Sequence, residues 1–120
     1  MLPIRFANEI CRIFVGLRSY ETAWKILGLT DQDRRCLELV LLEKPNAGIL
    51  LKGTNGVRKI RRPHQGVGKS NGIRVFYYDL AHLSRIYLLA VIKKGVEENL
   101  SKAERNELGQ LISAMKNGMS

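Results

Sequence analysis

Side chains that could bind the phosphates of a polyanion are concentrated in one segment of this 120-residue chain. Between Glu43 and Asp79 the sequence holds eight lysines and arginines and no acidic residue, which accounts for +8 of the formal net charge of +9. A localised basic field of this kind attracts polyanions. The pattern predicts an anionic partner, of which nucleic acid is the usual one.

Four of these cations follow one another on a predicted β-strand. Because side chains alternate along a strand, we expect Lys59 and Arg61 on one face and Arg58 and Arg62 on the other. A same-face pair about 7 Å apart fits two neighbouring phosphates. The local pattern fits equally well a solvated basic edge that discourages aggregation.

A second predicted strand, residues 73–78, adds one arginine and two tyrosines. Alternation places Arg74 and Tyr78 on one face of this strand and Tyr77 on the other. Tyrosines beside a basic patch can stack on unpaired bases, although they also serve as half-buried sheet residues.

The glycine-rich loop between these strands looks like the end of a nucleotide-binding P-loop but lacks two of its features. The motif requires a glycine where this chain has Pro63, and it must lead into a helix, whereas this loop leads into a strand. We interpret the loop as a tight hairpin connection that brings backbone amides near an anion and places Lys69 at its tip.

The elements that position these residues are a first strand, two helices, a run of short strands and a final helix. Strands are predicted at residues 12–17, 49–51, 57–61, 73–78 and 86–92, and helices at 20–27, 30–43 and from 101 onward. Capping boxes at Thr30 and Ser101 mark the starts of the last two helices. This order predicts an α+β fold, a small mixed or antiparallel sheet of about four strands with helices packed against it. We expect residues 12–120 to form one domain, preceded by a loose N-terminal extension at residues 1–11.

Several function classes are disfavoured by what the sequence lacks. Cys11 and Cys36 are too few for a disulfide framework or a metal site. The longest apolar run falls short of the roughly 20 residues that span a bilayer, and residues 1–17 lack the apolar centre of a secretory signal. We therefore expect a cytoplasmic protein without membrane association, metal or small-molecule cofactor, whose chemistry, if any, depends on cations.

The sequence resembles a known family, the HigB-type branch of the RelE/ParE superfamily of bacterial toxins. The resemblance is carried by GTNGVRKIR at residues 53–61 and by GxGKxxGxRVxYY at residues 66–78. With the helix start at residues 29–31 and its stop at 44–46, it extends over residues 13–115.

The resemblance implies a small mixed sheet flanked by helices and a metal-independent ribonuclease activity that cuts mRNA in the ribosomal A site. It also implies a cognate HigA-like helix-turn-helix antitoxin as partner. The residues that match the catalytic positions of the family are Lys59, Arg61, Arg74 and Lys94. Those expected to bind RNA are Arg58, Arg62, Lys69, Tyr77, Tyr78 and Lys93.

One departure from the family pattern follows Lys94. Where this branch commonly has Lys-Asn-Glu-Lys, the chain continues with Gly95, Val96 and Glu97, so that an acid replaces a cation. Lys93 could compensate, but its alternate strand direction argues against this. Besides an active toxin, the sequence thus allows an impaired or inactive protein that still binds RNA or the ribosome. A DNA-binding regulator fits less well, because the basic segment lacks a recognition-helix pattern.

Overall fold

A computed structural model describes residues 12–63, 72–93 and 100–118 of the chain. These residues form one sheet with three helices and a short 3-10 turn. In chain order the elements are β1 (Ile13–Gly16), α1 (Arg18–Ile26), α2 (Asp31–Glu43), β2 (Ile49–Leu50), β3 (Arg58–Arg62), β4 (Ile73–Leu80), the turn Ala81–Leu83, β5 (Arg85–Lys93) and α3 (Lys102–Gly118). The predicted α+β class is confirmed.

The sheet has five strands in the order β1-β5-β4-β3-β2. Strand β1 pairs in parallel with β5, and every other neighbouring pair is antiparallel, so β3, β4 and β5 form an antiparallel meander. The sheet thus has one strand more than the expected count of about four. Its shortest strand is the two-residue edge strand β2, which lies within the strand predicted at residues 49–51. Strand β4 lies at the centre of the sheet and pairs with β5 on one side and β3 on the other.

Both predicted capping boxes start helices. The Asp33 carboxylate accepts a hydrogen bond from the Thr30 backbone N–H at 2.9 Å, and the Thr30 hydroxyl accepts one from the Asp33 N–H at 3.1 Å. Ser101 and Glu104 form the same reciprocal pair. None of the helices in the described ranges is long and apolar enough to cross a membrane.

Helices cover both faces of the sheet and create two cores. Helices α1 and α2 pack on one face, through Tyr20, Trp24, Leu37 and Leu41, against apolar side chains of β4 and β5. Helix α3 packs on the other face through Ile112. Strands β4 and β5 are therefore buried on both sides, which explains why their sequences are apolar in consecutive runs.

A bulge in β5 changes which residues face each core. Phe76 of β4 pairs with Ala90, whereas the next residue, Tyr77, pairs with Leu88. Leu89 is thus the extra residue, and both Leu89 and Ala90 contribute to the core beneath α3.

Candidate functional site

Three of the residues predicted to carry catalysis lie together on one face of the sheet. In the β3–β4 pairing Arg61 is directly opposite Arg74, and Lys59 is opposite Phe76. Side chains of directly opposed residues share a face with Cβ atoms about 4.5–5.5 Å apart, and Lys59 is the diagonal neighbour of Arg74. This is the face on which α3 packs. The structure thus brings Lys59, Arg61 and Arg74 together.

These three cations differ in exposure. Arg74, on the central strand, is only 5% exposed, whereas Arg61 on β3 is exposed and Lys59 is half-buried. Burial on the central strand fixes the position of the Arg74 guanidinium, whose positive charge adds to the field on this face. Arg61 beside it is accessible from solvent.

A fourth cation, Arg105 of α3, joins this group. The pKa of Lys59 is lowered, first by burial and then by the positive charges of Arg74, Arg61 and Arg105. A lowered lysine pKa increases the neutral fraction of the amine, which can then accept a proton. We call Lys59, Arg61, Arg74 and Arg105 the cation cluster.

Sequence reasoning missed Arg105, although a signal for it was present. Helix α3 buries a stripe that includes Leu108, Ile112 and Met115. Arg105 is three residues before Leu108 and seven before Ile112, so the helical period places it on the same stripe. Only the packing of α3 on the Arg74 face brings the charge of Arg105 within electrostatic range of Lys59.

Three other cations expected to bind RNA are on the opposite face. Ile73 of β4 pairs with Arg62 on β3 and with Lys93 on β5, so Arg62, Ile73 and Lys93 form one row across the sheet. Ile73 belongs to the core beneath α1 and α2. The predicted separation of Arg62 and Arg58 from Lys59 and Arg61 is therefore found, and none of Arg58, Arg62 and Lys93 joins the cation cluster.

Arg58 and Tyr77 hold the segment between α2 and β2. The Tyr77 hydroxyl donates to the Pro45 carbonyl and accepts from the Gly48 N–H, both at 2.8 Å. The Arg58 guanidinium donates to the Gly48 carbonyl at 2.7 Å. A Cβ at Gly48 would lie 2.9 Å from the Tyr77 hydroxyl, so the contact requires glycine. Both side chains have a structural role in this arrangement.

The burial of the two tyrosines contradicts the prediction that they stack on bases. Tyr77 is completely buried, and burial raises the pKa of its hydroxyl. Tyr78 is 8% exposed within the core beneath α3, and the Lys116 ammonium lies 5.8 Å from its ring centre. The prediction was wrong because helices cover both faces of β4, so that no tyrosine on this strand presents an open ring.

Two predicted residues, Lys69 and Lys94, lie outside the described residues, as does Glu97. Their roles stay predictions.

The GTNG segment, which carries part of the family resemblance, forms a turn that fastens α3. Asn55 and Gly56 have positive φ values of 61° and 119°. The Asn55 amide donates to the Gly109 carbonyl and to the Ser113 hydroxyl, each at 2.8 Å, and Lys116 donates to the Asn55 carbonyl at 3.0 Å. The turn thereby fixes α3, and with it Arg105, against the sheet.

Comparison with known proteins supports this architecture. No protein-family model matches the sequence. Three solved structures resemble the chain. A double-mutant form of the Escherichia coli toxin RelE in the free state has a TM-score of 0.54 and 18% identity, and the match covers 85% of this chain and 97% of that one. The isolated E. coli RelE toxin has a TM-score of 0.51 and 18% identity, with coverage of 83% and 98%, and the intact E. coli RelBE toxin–antitoxin complex has a TM-score of 0.50 and 19% identity, with coverage of 73% and 99%. The chain therefore has the RelE toxin fold.

Proposed function

We propose that this protein is a ribosome-dependent mRNA endonuclease, the HigB-type toxin of a type II toxin–antitoxin module, acting in the cytoplasm. The observation that carries the proposal is the pairing of Arg61 with Arg74 on the same face as Lys59. The RelE fold and the lowered Lys59 pKa support it further.

The proposed reaction needs only side chains of this cluster and the RNA itself. The ribose 2′-hydroxyl attacks the adjacent phosphorus, forming a 2′-O–P bond, while the P–O5′ bond breaks and leaves a cyclic phosphate. Lys59, in its neutral form, or a water molecule takes the 2′-hydroxyl proton, and a protonated group returns a proton to the 5′ oxygen. Arg74 and Arg61 stabilise the charge on the phosphoryl oxygens. Lys94 is proposed beside the leaving group by the family resemblance.

A second candidate function is a RelE-like protein that binds RNA or the ribosome with impaired or no cleavage. It is favoured by Glu97, an acid where the HigB-type branch commonly has a cation. A negative charge there would disfavour protonation of the leaving oxygen. The variant Glu97→Lys separates the two candidates, because a large gain in cleavage identifies the native chain as an impaired enzyme.

We also propose a cognate HigA-like helix-turn-helix antitoxin as partner. The E. coli RelE structure in complex with its antitoxin supports a partner of this kind. A small helix-turn-helix protein encoded in the neighbouring reading frame should bind this chain and restore the growth of cells that express both.

The test is expression of the chain alone, followed by primer extension on mRNA from the arrested cells and on purified ribosomes programmed with a defined mRNA. We expect growth arrest and cleavage within the A-site codon. Arg74→Met, which keeps the aliphatic stem but removes the guanidinium, should relieve arrest while preserving antitoxin binding. Harmless wild-type expression together with uncut ribosomal mRNA would overturn the proposal.

A further inference from the structure

A polar groove follows the contact between the turn at residues 52–56 and helix α3. One part is a cavity of about 410 Å³ lined by Gly53, Asn55, Asn106, Gly109, Gln110 and Ser113. Next to it is a cavity of about 350 Å³ lined by Lys52, Gly53, Lys102, Arg105 and Asn106. Because the two share Gly53 and Asn106, they are successive parts of one groove, which we call the turn–helix groove.

The floor of this groove is backbone. A Cβ at Gly109 would lie 3.0 Å from the Gly53 carbonyl oxygen, closer than a side chain normally approaches. Gly53 itself has a positive φ of 77°, which favours glycine. Two glycines thus let the turn and the helix approach each other closely, and no side chain from the floor fills the space above them.

One end of the groove is cationic. Lys52 and Lys102 are exposed, Arg105 is half-buried, and all three line the second cavity. Among the described residues, no acidic side chain lines either cavity. Three positive charges without an opposing carboxylate attract a phosphate backbone.

Arg105 connects this end to the cation cluster. It lines the groove and also acts electrostatically on Lys59, which is on the same sheet face as Arg61 and Arg74. An RNA strand whose scissile phosphate lies against Arg61 and Arg74 can therefore continue past Arg105 into the groove without leaving positively charged surface.

The other end of the groove carries amides. Asn106 and Gln110 are exposed, and each offers both a donor and an acceptor, the combination that reads base edges. Phosphate contacts position a nucleic acid, whereas base contacts specify its sequence. The cationic end is thus suited to position a strand and the amide end to discriminate its bases.

We infer that the turn–helix groove binds single-stranded RNA on one side of the cleaved bond, with Lys52, Lys102 and Arg105 on its phosphates and Asn106 and Gln110 on its bases. This inference rests on the proposed function and specifies its substrate contacts. A protein segment fits the groove less well, because protein interfaces depend on buried aromatic or aliphatic anchors and both cavities are lined by polar residues and glycine.

The test uses the full chain and a fluorescein-labelled 2′-O-methyl RNA, which cannot be cleaved because its 2′-hydroxyls are blocked. Binding is measured by fluorescence anisotropy over a range of salt concentrations. The triple variant Lys52→Gln/Lys102→Gln/Arg105→Gln should weaken binding by about ten-fold or more and reduce the slope of log affinity against log salt by about two.

The matched control also removes three positive charges, all of them exposed, but from the opposite layer of the molecule. Lys25→Gln/Arg35→Gln/Lys44→Gln changes α1, α2 and the residue after α2 and leaves the groove intact. If the two triple variants weaken binding equally, the RNA responds only to net charge and the inference is wrong. Absence of measurable binding by the wild-type chain at low salt also overturns it.

Cleavage and antitoxin binding are measured on the same variants. Asn106→Ala/Gln110→Ala should retain most of the affinity but broaden the set of sites cut on programmed ribosomes. Because the binding assay uses an RNA that cannot be cleaved, its result does not depend on whether the protein is an endonuclease. If the groove triple variant binds RNA normally and loses antitoxin binding instead, the groove belongs to the antitoxin.

Discussion

Arg61 and Arg74 are directly opposite each other across the antiparallel strands β3 and β4, on the face that α3 covers. The exposed Arg61 guanidinium can contact a phosphate directly, and the buried Arg74 adds its positive charge from the neighbouring strand. Neither side chain depends on a loop for its position. The next residue on β3, Arg62, is on the opposite face.

The first prediction compares these adjacent arginines. Arg61→Ala should reduce the rate of mRNA cleavage on programmed ribosomes by about 10²–10³-fold, because one donor to the developing charge is lost. Arg62→Ala removes the same charge one residue away, and we expect a much smaller loss. Similar losses for both variants would show that cleavage depends on the overall charge of β3 and not on the face shared with Arg74.

The second prediction concerns the pH dependence of cleavage. If neutral Lys59 is the base, the rate at saturating RNA should rise with pH and level off above the Lys59 pKa, which is lower than that of an ordinary lysine. Arg105→Gln removes one of the charges that lower this pKa, so it should move the rising limb to higher pH and slow cleavage at neutral pH. The two profiles should converge in alkaline solution.

Lys102→Gln is the control for this shift, because Lys102 lines the groove with Arg105 but is not among the groups that act on Lys59. In this variant the cleavage rate should rise over the same pH range as in the wild-type protein. A limb that stays in place in Arg105→Gln would show that Lys59 is not the group whose ionisation is observed, and a water molecule would then be the better candidate for the base.

The third prediction separates two buried tyrosine hydroxyls. Tyr77→Phe leaves the Gly48 N–H and the Pro45 carbonyl without their partner and should lower the free energy of unfolding by about 1–3 kcal/mol. The Tyr20 hydroxyl is buried and has no hydrogen-bond partner among the described residues. Tyr20→Phe should therefore leave stability unchanged or increase it.

Urea denaturation of both variants measures these differences, and the m-value shows whether the comparison is valid. An unchanged midpoint for Tyr77→Phe would mean that the segment between α2 and β2 does not depend on this hydroxyl. The structural assignment of Tyr77 would then lose its support.

Local sequence signals predicted most of the fold. The capping boxes at Thr30 and Ser101 started α2 and α3 where expected, and Pro45 follows the end of α2. The two-residue period correctly separated Lys59 and Arg61 from Arg58 and Arg62. These features depend on a few neighbouring residues, so a local sequence pattern is enough to predict them.

Relationships between distant residues could not be predicted in the same way. Alternation places Arg74 on a face of β4, but only the register of β3 against β4 makes it the face of Arg61. Arg105 reached the cluster through the packing of α3, and Tyr77 was misjudged because both faces of β4 are covered. Register and layer order are set by long-range packing, which no local pattern encodes.

The last prediction tests whether the turn at residues 53–56 holds α3 in place. Asn55→Gly removes both side-chain hydrogen bonds to α3 but keeps a residue that tolerates the positive φ at this position. Stability should fall by about 1–3 kcal/mol, and amide hydrogen exchange should accelerate in α3 more than in β4.

Gly109→Ala provides an independent disruption of the same contact. Its added methyl group would lie 3.0 Å from the Gly53 carbonyl oxygen and should push α3 away from the turn without removing a hydrogen-bonding group. If α3 positions Arg105, both variants should raise the pKa of Lys59 and shift the pH profile in the direction expected for Arg105→Gln. Faster exchange in α3 with an unaltered pH profile would show that the turn stabilises the helix but does not control the charge around Lys59.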